Sequence, residues 1–158
     1  MILYHGSNEN SPFEIAPYSP GAVDFGGIFA SPRRVAAESH GENVFYIEIP
    51  DSLILESYHL TYEIESERTI AALEKAFGRA LSEEEQDFLW DAVIEEKSVD
   101  EDFLCELLEL EDAAEAGWEC QRLRGQVARN LGFQAVEMSD EHGTSYLVLP
   151  GAELHFAD

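Results

Sequence analysis

The sequence predicts an α+β fold on three observations: strand-like runs near both ends, a long helical stretch between them, and no Pro/Gly/Ser linker or repeat to separate the two. Residues 1–50 and 130–157 read as strands and loops, and residues 66–131 read as helix. With 158 residues and 45% hydrophobic content, the chain is long and apolar enough for one core, so residues 1–158 are expected to form a single domain.

The strands come first. Leu3-Tyr4 is strand-like, and Val44-Phe45-Tyr46-Ile47-Glu48-Ile49 is a β-rich run stopped by Pro50. Phe133 to Met138 and Tyr146-Leu147-Val148-Leu149, ended by Pro150-Gly151, are two more. Phe25-Gly26-Gly27-Ile28-Phe29-Ala30 reads as a Gly-Gly turn into a short apolar strand. Ser31-Pro32 then reads as a helix start, serine as N-cap and proline at the first helical position, with the helix running to about His40-Gly41.

In the helical stretch, Ser82-Glu83-Glu84-Glu85 and Ser98-Val99-Asp100-Glu101 both have the capping-box pattern, in which the serine hydroxyl and the glutamate satisfy each other's free backbone N–H groups. Behind them Leu89, Ala92 and Val93, then Phe103, Leu104, Leu107 and Leu108, recur at helical spacing, so each helix has an apolar stripe and a carboxylate-rich outer face. A third helix is expected from about Trp118 to Leu131, with Leu123, Val127 and Leu131 on one side and Gly132 in the left-handed terminal position. Gly125 inside that helix costs about 1 kcal/mol against alanine, which points to close packing there. Trp118 and Arg122 are expected to serve core packing and a buried ion pair.

Thirty-three acidic against nine basic residues give a net charge of −24, which argues against binding nucleic acid or anionic lipid directly and favours a basic partner. The charge either keeps a helical surface soluble or steers the protein to a positively charged, nucleic-acid-handling target. Met1-Ile2-Leu3-Tyr4 lacks the basic flank of a signal peptide, and no apolar run reaches the roughly 20 residues of a membrane span, so a cytoplasmic protein is expected. Cys105 and Cys120 have no metal-binding spacing and read as reduced thiols, and His142 beside two carboxylates lacks a second cluster to hold a metal.

The chemistry-bearing residues lie near the ends. His5-Gly6-Ser7 follows an apolar run, where a glycine permits close backbone approach to a ligand and a histidine can hydrogen-bond a sugar hydroxyl. Alone, such a histidine is more often structural. Arg33-Arg34 at a helix start is either an anion site or a solvated pair. Asp140-Glu141-His142-Gly143 reads by itself as a polar turn before the last strand.

Leu3-Tyr4-His5-Gly6-Ser7, with Gly27-Ile28-Phe29-Ala30 and a following helix that ends in a ring residue, resembles the nicotinamide-binding half of the ADP-ribosyltransferase fold in its diphtheria-toxin and poly(ADP-ribose) polymerase branch. The resemblance implies a split β-sheet core, here with an inserted acidic helical segment. It implies that His5 holds the nicotinamide ribose and that Gly6 and Ser7 contact the carboxamide. Phe29 falls where the branch has an aromatic beside the nicotinamide, His40 falls where it has a stacking tyrosine, and Gly27 and Ser31 complete the cofactor-binding set. The branch places its catalytic glutamate at the start of a late strand, where this chain has Ser145.

A second resemblance covers most of the chain. Tyr62-Glu63-Ile64-Glu65-Ser66, Gly117 to Gly125 with its Gln-Arg-Leu-Arg-Gly string, Val136 to Thr144 with its Asp-Glu-His-Gly-Thr string, and Leu149-Pro150-Gly151 are similar to a phage-encoded anti-CRISPR family of the same fold. That family uses NAD to ADP-ribosylate the type I-F surveillance complex on the subunit that recognises the protospacer-adjacent motif. The resemblance implies an NAD-dependent mono-ADP-ribosyltransferase with Asp140 as catalytic carboxylate and Glu141 as a second candidate. The chain departs from the family over about Glu67 to Ala116, where its acidic helical stretch is longer. An acidic, non-catalytic DNA mimic, or a toxin of the same fold with another protein target, are the alternatives.

Overall fold

The computed structural model describes residues 1–17, 25–140 and 143–158. The architecture is mixed helix and sheet, as the sequence predicts. Two sheets carry it: β1 (Ile2–Ser7), β3 (Asn43–Glu48) and β7 (His155–Phe156) form one in the order β1-β3-β7, and β2 (Ile28–Ala30), β4 (Ile54–Leu55), β5 (Ala135–Asp140) and β6 (Gly143–Val148) form the other in the order β2-β6-β5-β4. All pairings are antiparallel except β4 with β5. The sheets meet where Tyr4 and Ser31 exchange backbone hydrogen bonds at 2.7 and 2.9 Å.

Alternation along the strands sorts the core into two layers. Leu3, Phe45 and Ile47 from the first sheet face Ala30, Ala135, Tyr146 and Val148 from the second, and all are buried. The opposite face of the second sheet, with Val136, Met138 and Leu147, packs under the helices. These are α2 (Ser66–Phe77), α3 (Glu83–Leu89), α4 (Glu101–Leu108) and α5 (Ala113–Asn130), with α2 and α4 both against α5. Single π-helical turns at His59–Glu63 and Trp90–Ile94 join the helical part to the sheet and to itself. The apolar stripes lie where the spacing puts them: Leu89, Ala92, Val93, Leu104, Leu123 and Val127 are buried. No helix among the described residues is long and apolar enough to cross a membrane.

Several expectations shift by a few residues for identifiable reasons. The Ser82 capping box forms in full, with Ser82 Oγ accepting from Glu85 N and the Glu85 carboxylate accepting from Ser82 N. The Ser98 box does not: Asp100 Oδ1 accepts the Phe103 N–H at 2.8 Å and is the N-cap of α4, because a carboxylate nearer the first turn takes the free donor. Asp112 likewise opens α5 upstream of the expected start near Trp118, its Oδ1 accepting from Ala114 N and Glu115 N. Trp118 is 51% exposed and is not a core residue. Gly132 takes its left-handed φ of 92° after α5. A Cβ on Gly125 would lie 2.7 Å from Leu147 Cδ2, so the helix lies on β6 at the contact only glycine permits. Both cysteines are free thiols, and burial pushes Cys120 up to about 11.

Candidate functional site

At the seam between the sheets lies a cavity of about 1000 Å³. Its first wall is β1, which runs through Ser7, so His5 and Gly6 are strand residues rather than the turn that follows a strand. Its second wall is β2 and the residues around it, Gly27, Phe29 and Ser31. Its third is the hairpin of β5 and β6. Met138 stands opposite Ser145 and Asp140 opposite Gly143, so Met138 and Asp140 lie on the helix-facing side with Phe29, which stands opposite Leu147. Gln121 of α5 and Arg33, Ala36, Ala37, Ser39 and His40 close the remaining sides.

His5 is held by a hydrogen bond from Nδ1 to the Phe29 carbonyl at 2.8 Å. A carbonyl oxygen only accepts, so Nδ1 carries the proton. Burial, with a smaller contribution from nearby His40, holds the imidazole below its usual 6.5 against the opposing pull of the Phe29 carbonyl. The ring is therefore neutral near pH 7, with Nε2 left as an acceptor suited to a sugar hydroxyl.

The backbone here is packed as tightly as its glycines allow. A Cβ on Gly6 would fall 2.0 Å from Ala37 O, and one on Gly41 2.4 Å from Ser7 N. The close approach that Gly6 permits is thus to the short helix α1 (Arg34–Glu38), which fixes the wall bearing His40. That helix begins later than expected: its N-cap is Arg33, while Ser31 sits in the bridge to Tyr4 and its hydroxyl accepts the Arg33 N–H at 3.1 Å. Arg34 turns away to Glu38 and to the C-terminal carbonyls of Ala157 and Asp158, whereas Arg33 lines the cavity.

Of the residues expected to bind or act, His5, Gly6, Gly27, Phe29, Ser31, His40 and Asp140 all line this one cavity. Ser7 stands outside its lining and accepts the Glu9 N–H at 3.1 Å. Glu141 lies outside the described residues, as does His142.

Gln121 is a site residue that sequence reasoning passed over. It precedes Gly125 by one helical turn, and since Gly125 marks the contact with β6, the residue one turn earlier falls at the open end of the same sheet face. Ser145 is a second: its hydroxyl oxygen is buried beside the cavity with no hydrogen-bond partner among the described residues. Arg122 forms a partly buried ion pair with Glu119 at 3.1 Å and places its guanidinium 4.9 Å from the Phe25 ring centroid. Phe25 in turn stands edge to face against Phe29 at 5.0 Å, so Arg122 steadies the aromatic wall from behind.

Residues 1–156 match the family model described as "Anti-CRISPR Type I-F ADP-ribosyltransferase AcrIF11". A solved structure described as "Crystal structure of an anti-CRISPR protein" is similar, with a TM-score of 0.70 and 35% sequence identity over 99% of this chain and 95% of that one. No curated protein matches. A strand histidine and a distant carboxylate facing one large cavity, in a chain matched almost end to end by that model, leave one assignment: the protein belongs to the anti-CRISPR type I-F ADP-ribosyltransferase family.

Proposed function

We propose that the cavity binds NAD with its nicotinamide end against β1 and β2, and that the chain transfers ADP-ribose to a type I-F CRISPR surveillance complex, on the subunit that reads the protospacer-adjacent motif. The observation that carries this reading is that His5, near the amino terminus, and Asp140, near the carboxyl terminus, face the same cavity.

Cleaving the bond between ribose and nicotinamide builds positive charge on the sugar, as glycoside cleavage does. A carboxylate beside that sugar is worth more in the transition state than in the ground state, which is the condition for raising rate rather than only affinity. Asp140 supplies it. His5 Nε2 accepts from a ribose hydroxyl and orients the ring, while Phe29 and His40 flank the nicotinamide. Gln121 and the buried hydroxyl of Ser145 are further donors for polar groups of the dinucleotide.

The test uses labelled NAD and purified type I-F complex. Asp140→Ala should lower label transfer by roughly 100- to 1000-fold, and Glu141→Ala should not. Loss with Glu141→Ala instead would move the role to that residue. If D140A still inhibits the complex in full without passing label, the net charge of −24 is the agent, and the chain works as an acidic mimic of DNA.

A further inference from the structure

The strand that carries Asp140 has an unusual edge. β4 ends at Leu55, opposite Val136, so beyond that point the outer side of β5 has no neighbouring strand among the described residues. Even-numbered residues of β5 turn their backbone groups toward β6, which leaves the Glu137 carbonyl and both the N–H and the carbonyl of Ser139 on the open side. Unpaired groups on such an edge let a strand end fray.

Here an ion pair from the helical part takes the place of a strand. Arg124 of α5 is 1% exposed, and its Nε donates to Glu137 O at 2.9 Å. Its Nη1 donates to Val93 O and Ile94 O at 3.0 and 2.6 Å, and Nη2 donates to Ser57 Oγ at 2.8 Å and lies 3.4 Å from Glu96 Oε1. Glu96 in turn accepts the Ser139 N–H, with Oε2 at 3.0 Å and Oε1 at 3.4 Å. Four of the five guanidinium N–H groups are thereby hydrogen-bonded, the Glu96 carboxylate pairs with the guanidinium, and the Glu137 carbonyl and the Ser139 N–H are both satisfied.

Glu96 holds this position under strain. Its φ of 51° is in the left-handed region, which is unfavourable for a residue with a Cβ, and glycine would occupy that turn more easily. The side chain is what glycine could not provide. Ser139, the residue it grips, immediately precedes Asp140 and lines the same cavity.

We propose that Glu96, backed by Arg124, is a positioning residue that clamps the end of β5 and so aims the Asp140 carboxylate, giving the acidic helical segment a role in the reaction. The proposal presupposes that Asp140 is the carboxylate beside the ribose. Loss of the clamp leaves the cavity's other walls intact, so binding of NAD and the rate of the chemical step should part company.

The test measures kcat and KM for NAD in Glu96→Gly and Glu96→Gln, with D140A alongside. Glycine suits the backbone at this φ, and glutamine keeps an oxygen that accepts from Ser139 N. In E96G, kcat should fall roughly 10- to 100-fold with KM within about twofold, and the Ser139 amide should exchange with deuterated solvent faster. E96Q should recover most of kcat. A wild-type kcat in E96G, a parallel rise in KM, failure of E96Q to recover, or failure of E96G to fold would each overturn the proposal. D140A separates the two readings: inactive D140A with fully active E96G removes the clamp alone, and active D140A removes the assignment of the carboxylate on which it rests.

Discussion

His5 donates its Nδ1 proton to the carbonyl of Phe29 across the seam between the two sheets, at 2.8 Å. The bond fixes the tautomer, and burial holds the ring below its ordinary 6.5. Protonating Nε2 would replace with a donor the acceptor that the proposed function offers to the ribose.

A pH dependence follows with a definite sign. In the unfolded chain His5 takes up its proton near 6.5, and in the folded protein only at lower pH. Its contribution to stability is therefore complete above 6.5 and is lost as pH falls through the folded value. For the reaction, the acid limb of kcat/KM for NAD should be centred below pH 6.5 and vanish in His5→Gln. An acid limb centred above 6.5 would show that the ring is not desolvated as the cavity wall requires.

Gly125 and Leu147 should behave as a coupled pair. Alanine at 125 gains about 1 kcal/mol in helix propensity but meets Leu147 Cδ2 at 2.7 Å. Gly125→Ala alone should therefore destabilise by about 1–2 kcal/mol net. In a Leu147→Ala background, itself costing about 2–5 kcal/mol, the same change should become neutral or stabilising. Urea midpoints of the four proteins in this double-mutant cycle give the coupling, and additive effects would place Gly125 away from β6.

The caps of the helical part offer a sharper comparison. Asp100→Ala removes the acceptor of Phe103 N and should cost about 1 kcal/mol, and Asp112→Ala should cost a similar amount by freeing Ala114 N and Glu115 N. Ser98→Ala, despite the capping-box pattern around it, should change stability by less than about 0.5 kcal/mol. Thermal melts of the three variants decide between the two starts of α4.

Much of this was legible because it rests on local rules. The Ser82 box, the buried stripe of Leu89 and Val93, the left-handed Gly132 and the tight Gly125 each follow from a pattern a few residues long. The site residues near the two ends could be paired by resemblance, and the sheet then brings His5 and Asp140 to one cavity. What escaped were features decided by competition or by distant neighbours. Asp100 caps Phe103 N and starts the helix two residues after the Ser98 pattern would, and Ser31 is drawn into a bridge with Tyr4 instead of capping a helix. β4, only Ile54–Leu55, is too short to show a period, and Gln121 and Glu96 acquire meaning only once α5 and the turn after Trp90–Ile94 are laid against β5.

The paired hydrogen bonds between Tyr4 and Ser31 act as a rivet between the two sheets. Spreading the jaws at that point would break both, each worth on the order of 1 kcal/mol, and would drag Gly6 away from a helix it touches backbone to backbone. Under the proposed function, a dinucleotide would meet a slot whose width on this side is already held by the fold, which limits the binding energy diverted into closing the protein around it.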